Sequence, residues 1–273
     1  MTGTARIEEI AQALAAARKH RAPIERIITR AEATLDDAYA VQFALMAHAR
    51  SRTDAEGVGG GLRGFKVGTT SAAAMARVGV EEPMLGFIEH ADAVPNGGLV
   101  DLRELIAPRI EMELALVTRV ELSSPDCDAE AALAATDYAV PAFEIIDSRY
   151  VLAAFDVIAA VADNMSTARH VLGGERLDPR AVDLAAVTAV LEKNGVEIAR
   201  GSGAAVLGHP ARSLAWLVRT LARYGITVPA GSVVLTGGFA DAVPAANGDA
   251  FAARFTPGGT VACTFSSSSE RRT

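Results

Sequence analysis

The chain has 273 residues, half of them hydrophobic, with a formal net charge of −7 and a pI near 5.3. That length allows one large domain, or one domain with a small appendage, around a sizeable core. The acidic balance, with no basic run beyond the terminal Arg271-Arg272, argues against nucleic acid as a partner.

The first fifty residues carry helical spacing, with Ile7, Ile10, Leu14 and Ala17 on one face. Thr34 and Asp37 have the form of a capping box ahead of a second helix that places Ala38, Val41 and Leu45 together. The glycine-rich "EGVGGG" at 56–61 then breaks the pattern. Charges at Arg6, Glu8 and Glu9 interrupt any apolar leader at the start. "RGFKVGTT" (63–70) reads as a strand, and "SAAAMARVG" (71–79) as a short helix between a Ser71 cap and a Gly79 stop.

"RIEMELALVTRV" is a long strand, "DAEAALAAT" a helix, and "AFEIIDS" a buried strand beginning after Pro141. The most apolar stretch, "YVLAAFDVIAAVADN", is cut by Asp156 and is too short to span a bilayer. "AVTAVLEKNGVEIARG" predicts two strands turning at Asn194-Gly195. "ARSLAWLVRTLARYG" is an amphipathic helix closed by Gly225; "SVVLTGG" and "FAARFTPGGTVACTFS" add three strands. Strands dominate, hairpins recur and helices do not alternate regularly with them. The expected fold is therefore α+β: a mixed β-sandwich or barrel with peripheral helices, not a doubly wound parallel sheet. The expected division is a helical region at 1–60, a β-rich catalytic domain at 61–266 and a loose tail at 267–273.

Common catalytic signatures are missing. Gly59, Gly61 and Gly64 match GxGxxG, but a helix precedes and a strand follows, the reverse of a dinucleotide site. There is no GxxxxGK[ST], HExxH or GxSxG. Cys127 and Cys263 are far apart, which suggests neither zinc nor a disulfide framework and fits a soluble, cytoplasmic protein.

The informative residues are acidic. In "PRIEMELALV", alternation sends Glu111 and Glu113 to one side, and that side continues as Ala115 and Val117. Two glutamates on a solvated strand face are ordinary, but this face turns apolar. Glu144 in turn lies among Phe143, Ile145 and Ile146. A buried carboxylate costs several kcal/mol unless it is paired, protonated or bound to a cation. A divalent ion satisfies all three, and an all-oxygen set favours Mg²⁺ or Mn²⁺ over zinc. Such an ion keeps open positions for a substrate that chelates through two oxygens, such as a 2-oxo acid. Lys66 in "GFKVG" either extends to the surface or faces an anionic substrate. "VADNMST" (161–167) reads as a loop with a helix cap, and His209 in "LGHP" as structural. The glycines of "LTGG" (235–238) either make a turn or offer N–H groups to a carboxylate.

Taken together, "GFKVG", "GVEEPMLG", "PRIEMELALV", "PAFEIIDSRY", "VADN", "GSGAAVLGHP" and "GSVVLTGG", in this order, resemble the vinylpyruvate hydratase and 4-oxalocrotonate decarboxylase branch of the fumarylacetoacetate hydrolase superfamily. The similarity covers roughly residues 35 to 266. The resemblance implies a β-roll core and a Mg²⁺ or Mn²⁺ site at Glu111, Glu113 and Glu144. It implies catalytic roles for Lys66 and Ser166. It places substrate against Met84 and Leu85 of "EPMLG", Arg149 of "EIIDSRY", and Thr236 and Gly237 of "LTGG". Hydratases of the family typically carry "EPDFG"; Met84 stands here in place of that acid and cannot handle the proton of an attacking water. The resemblance thus favours decarboxylation of 4-oxalocrotonate. Alternatives are the hydratase reaction at the same site, a non-catalytic partner subunit, and a C–C bond hydrolase, which would want a water-activating acid not found here. A small-molecule 2-oxo acid partner, a homo-oligomer and a complex with a hydratase are the implied associations.

Overall fold

The computed structural model describes residues 3–51, 61–151 and 155–267. Apart from Gly61 and Ser267, the expected glycine joint and tail lie outside them, as does Gly59 of the GxGxxG match. The helices are α1 (Thr4–His20), α2 (Leu35–Ser51), α3 (Ala72–Val78), α4 (Ala129–Ala134), α5 (Val157–Ala162) and α6 (Pro210–Arg223). The strands are β1 (Leu62–Gly68), β2 (Met84–Glu89), β3 (Ala93–Val94), β4 (Gly98–Asp101), β5 (Arg109–Thr118), β6 (Thr136–Ile146) and β7 (Thr167–Leu172), followed by β8 (Thr188–Lys193), β9 (Val196–Ser202), β10 (Val233–Gly238), β11 (Val243–Pro244), β12 (Ala250–Thr256) and β13 (Gly259–Ser266).

Local chemistry sets many of these boundaries. The Thr34–Asp37 box is reciprocal: the Thr34 N–H donates to the Asp37 carboxylate at 3.0 Å, and the Asp37 N–H donates to Thr34 Oγ1 at 3.2 Å. Ser71 caps α3 by accepting from the Ala74 N–H, and Gly79 ends it in the left-handed region. Asn194 and Gly195 both have positive φ, as a two-residue hairpin turn between β8 and β9 requires. β6 is longer than expected and runs straight through Pro141. The proline is tolerated because its missing donor faces the side of β7, just where β7 ends. There the Gly173 N–H donates to the Pro141 carbonyl, and the return bond that the proline cannot make falls beyond the end of β7.

Two sheets result. The larger runs β2-β1-β10-β5-β6-β7-β3 with β11 on β5, and the smaller runs β4-β13-β12-β8-β9. Pairing is mostly antiparallel, with parallel joints at β1/β10, β3/β7 and β4/β13. The larger sheet curls until β2 lies against β7, forming a roll. Its outer face carries Phe65, Phe143 and Val171 into the main core, against β13, α2 and α6. The core residues of α1 and α2 belong to that same cluster. Its inner face holds a separate cluster: Ile88, Ala115, Val117, Val140, Ala142, Val233 and Leu235.

One consequence is that the outer core can be weakened without touching the inner face. Phe143 is fully buried and projects opposite to Glu144. Phe143→Ala should cost about 3–5 kcal/mol of stability in a urea titration. A loss below about 1 kcal/mol would contradict this packing.

Candidate metal centre

The polar half of the roll interior begins where the apolar cluster stops. On β5 the inward series is Glu111, Glu113, Ala115, Val117; across β6, Glu111 pairs with Glu144, Glu113 with Ala142 and Ala115 with Val140. Alternation and register therefore put three carboxylates on one concave surface. One oxygen from each lies within 4.8 Å of the others. Glu113 and Glu144 are buried, and Glu111 is partly open to a cavity of about 500 Å³.

Few groups compensate this charge. Lys66, from β1, is 2% exposed and sits with Nζ 3.0 Å from Glu144 Oε1. It also donates to the Met165 carbonyl at 3.1 Å. The Thr167 hydroxyl donates to Glu144 Oε1, and the Gly237 N–H donates to Glu113 Oε2 at 2.8 Å. Burial, and after it the charge of Glu144, pushes the Glu111 carboxyl up to about 7 against the pull of Lys66 and Arg109. Burial likewise holds Glu113 well above the ordinary carboxylate range, reinforced by Glu144 and Glu111 and opposed by the Gly237 N–H. One lysine cannot balance three carboxylates. A hard divalent ion can, because it takes oxygen ligands at about 2.0–2.6 Å and spans the observed separation. The donor set thus fits Mg²⁺ or Mn²⁺.

The other wall is a left-handed turn. Asn164, Met165 and Ser166 have φ of 51°, 48° and 61°, a conformation non-glycine residues rarely adopt in sequence. The Asn164 side chain fixes it by bonding both the N–H and the carbonyl of Phe87 on β2 at 2.8 Å. The turn aims the Met165 carbonyl at Lys66 and sets Ser166 on the wall of the cavity that Glu111 also lines.

Other residues singled out in the sequence take different positions. Arg149 is not available to substrate: it is buried, ion-paired with Asp163, and donates to the carbonyls of Asp147, Thr167 and Asp163. It anchors the turn, because Asp163 is fully buried and needs a cationic partner. The Thr236 hydroxyl donates to the Leu114 carbonyl, and the Gly237 N–H is taken by Glu113, so neither donor is free for a substrate carboxylate. Gly237 has φ +121°, and a Cβ there would meet Thr70 Oγ1 at 2.3 Å. Met84 stands in register with Gly68 on the Lys66 side of the sheet, its sulfur 3.7 Å from the Tyr39 hydroxyl. Leu85 pairs with Val67 and packs in the outer core. His209 caps α6 through Nδ1, which accepts the Ala211 N–H at 3.0 Å. The role of Thr167 was hidden in the sequence, where "MST" offers two hydroxyls and no sign of which one turns inward.

The family model for the fumarylacetoacetate hydrolase C-terminal domain matches residues 65–266. The chain belongs to that family. It is 46% identical over 222 residues to a 4-oxalocrotonate decarboxylase of Pseudomonas sp. (strain CF600), covering 81% of this chain and 82% of that protein. It is 39% identical over 222 residues to a 2-hydroxyhexa-2,4-dienoate hydratase of Comamonas testosteroni, with coverage of 81% and 82%. Among solved structures, the 4-oxalocrotonate decarboxylase of Pseudomonas putida G7, complexed with magnesium and adipate, superposes with a TM-score of 0.92 at 39% identity, over 97% of this chain and 99% of that one. The α+β roll read from the sequence is the observed fold.

The raised carboxyls give the metal-free protein a pH signature. A carboxyl moved from 4.5 to about 7 on folding contributes stability that is present below 4.5 and lost as pH rises through about 7. Metal competes with those protons, so Mg²⁺ should raise the melting temperature more at about pH 8 than at about pH 5.5. Equal shifts at both pH values in scanning fluorimetry, with EDTA controls, would contradict the site. Glu144→Gln removes one anionic ligand and should weaken Mg²⁺ binding by about tenfold or more in calorimetry.

Proposed function

We propose that this chain is a metal-dependent decarboxylase that converts 2-oxo-3-hexenedioate (4-oxalocrotonate) to 2-hydroxypenta-2,4-dienoate and CO₂, in the meta-cleavage catabolism of aromatic compounds. The observation that carries the reading is the cluster of Glu111 with the buried Glu113 and Glu144 and Lys66 beside it, Glu111 lining a cavity large enough for a six-carbon acid. The 46% identity to a decarboxylase of that name supports it. Among the described residues no helix is long and apolar enough to cross a membrane. A cytoplasmic setting, self-assembly and a complex with a hydratase belong to the same proposal; the first rests on the two widely separated cysteines and the second on the apolar composition.

The substrate is a vinylogous β-oxo acid. Breaking its C5–C6 bond releases CO₂, and the electron pair forms C4=C5 as C3=C4 becomes C2=C3. Negative charge gathers on the C2 oxygen. Glu111, Glu113 and Glu144 would hold Mg²⁺ or Mn²⁺, which when bound would supply Lewis acidity toward an oxo-acid oxygen. Lys66 places a fixed ammonium at the same wall, with Glu144 and the Met165 carbonyl holding its orientation. It offsets the developing charge and is positioned to give the proton that completes the enol. Ser166 lines the cavity. Met84, on the Lys66 side of the sheet, contributes no acid or base for adding water.

The hydratase reading has support in the 39% identity to a dienoate hydratase. Incubation of the protein with 4-oxalocrotonate and Mg²⁺ separates the two: CO₂ release, abolished by EDTA, is the expected result. Absence of CO₂ together with consumption of 2-hydroxypenta-2,4-dienoate would assign the hydratase. Lys66→Met should lower kcat by about a hundredfold or more while Mg²⁺ binds no more weakly, since a neighbouring positive charge has been removed. Near-normal turnover in that variant would eliminate the role given to the lysine.

A further inference from the structure

The cavity that Glu111 lines is also lined by two polar residues that the acidic cluster does not use. Arg26, on the segment after α1, lines it half-buried and makes no hydrogen bond or ion pair among the described residues. Tyr150 lines it as well, and its hydroxyl is buried without a hydrogen-bond partner among the described residues. Main-chain pairing fixes these two segments together: the Ile24 N–H donates to the Arg149 carbonyl and the Val151 N–H to the Ile24 carbonyl, both at 2.9 Å.

The acids that share this cavity already have partners. Both carboxylate oxygens of Asp156 accept main-chain N–H groups, from Arg30 and Ala159. Both oxygens of Asp147 do the same for Ile106 and Ala107. Asp241 pairs with Arg77 at 3.2 Å. An arginine without an acceptor, and a phenol hydroxyl buried without one among the described residues, line the same cavity as Glu111 and suit an anion with at least two acceptor oxygens.

We propose that Arg26 and Tyr150 form the subsite for the distal carboxylate of a 2-oxo dicarboxylate whose oxo-acid end lies at Glu111, Glu113 and Glu144. This rests on the 2-oxo acid reading of the metal centre and adds the feature that selects a diacid over a monoacid. It also fixes where the effect falls in catalysis. The C6 carboxylate loses its charge as it becomes CO₂, so its contact with Arg26 is stronger in the bound substrate than in the transition state. Arg26 therefore lowers KM while adding to the barrier from bound substrate, so its removal raises KM and raises kcat or leaves it unchanged.

The test titrates the Mg²⁺-loaded protein with 2-oxoadipate and with 2-oxohexanoate, equal in length and differing in the distal carboxylate. The unaltered protein should prefer the diacid. Arg26→Gln should lose about tenfold to a hundredfold in affinity for 2-oxoadipate and nothing for 2-oxohexanoate. Tyr150→Phe should show a smaller loss with the same selectivity. In turnover, Arg26→Gln should raise KM without lowering kcat. Equal losses on both ligands, no preference in the unaltered protein, or a fall in kcat at constant KM would each overturn the subsite while leaving the 2-oxo acid reading intact. Failure of the Mg²⁺-loaded protein to bind either ligand would remove both.

Discussion

Three carboxylates crowded on the inner face of a β-roll, with one lysine beside Glu144 among the described residues, are the constraint around which the remaining features are arranged. Like charges in a low-dielectric interior repel strongly, and desolvation adds to the cost. The chain accepts this cost where Glu111, Glu113 and Glu144 meet, and then supplies only partial relief: one ammonium, one hydroxyl and one main-chain N–H. Fuller compensation by protein groups would occupy the oxygens that a cation needs. The incomplete balance is what makes the centre a receptor for positive charge.

The roll produces this arrangement by dividing its interior. Small and branched aliphatic side chains at Ala115, Val117, Val140, Ala142, Val233 and Leu235 fill one end. The same strands, a residue pair further along, carry the glutamates at the other. The apolar end excludes water from behind the site and keeps the dielectric low, which strengthens every electrostatic effect at the acidic end. The outer face of these strands belongs to the main core, so packing on one side fixes the side-chain geometry on the other.

A second device holds the opposite wall. Three consecutive non-glycine residues in the left-handed region are unfavourable in isolation. Here the Asn164 amide clasps the main chain of Phe87, and the buried Arg149–Asp163 pair secures the flanking segments. Arg149 thus serves the site from behind, as an anchor, although its place in the sequence beside "EIIDS" pointed to the substrate. Glu111 of the acidic cluster lines one cavity together with Arg26 and Tyr150, so groups suited to a cation and to an anion share the same space.

The amino-acid sequence by itself determined the elements and the acid triad. Helix caps at Thr34 and Ser71, the Asn194-Gly195 turn and the alternation in "PRIEMELALV" are local, because they depend on neighbours within a few residues. That alternation also made Glu111 and Glu113 share a face, and the apolar surroundings of Glu144 marked it as buried. What only the tertiary structure decided was which polar groups meet across long sequence separations. Lys66 finds Glu144, Arg149 turns to Asp163, Thr167 and not Ser166 bonds a glutamate, the Gly237 N–H goes to Glu113, and Arg26 comes to lie beside Tyr150. A side chain's partner depends on strand register, sheet curl and backbone conformation set by distant residues, and no local pattern encodes them.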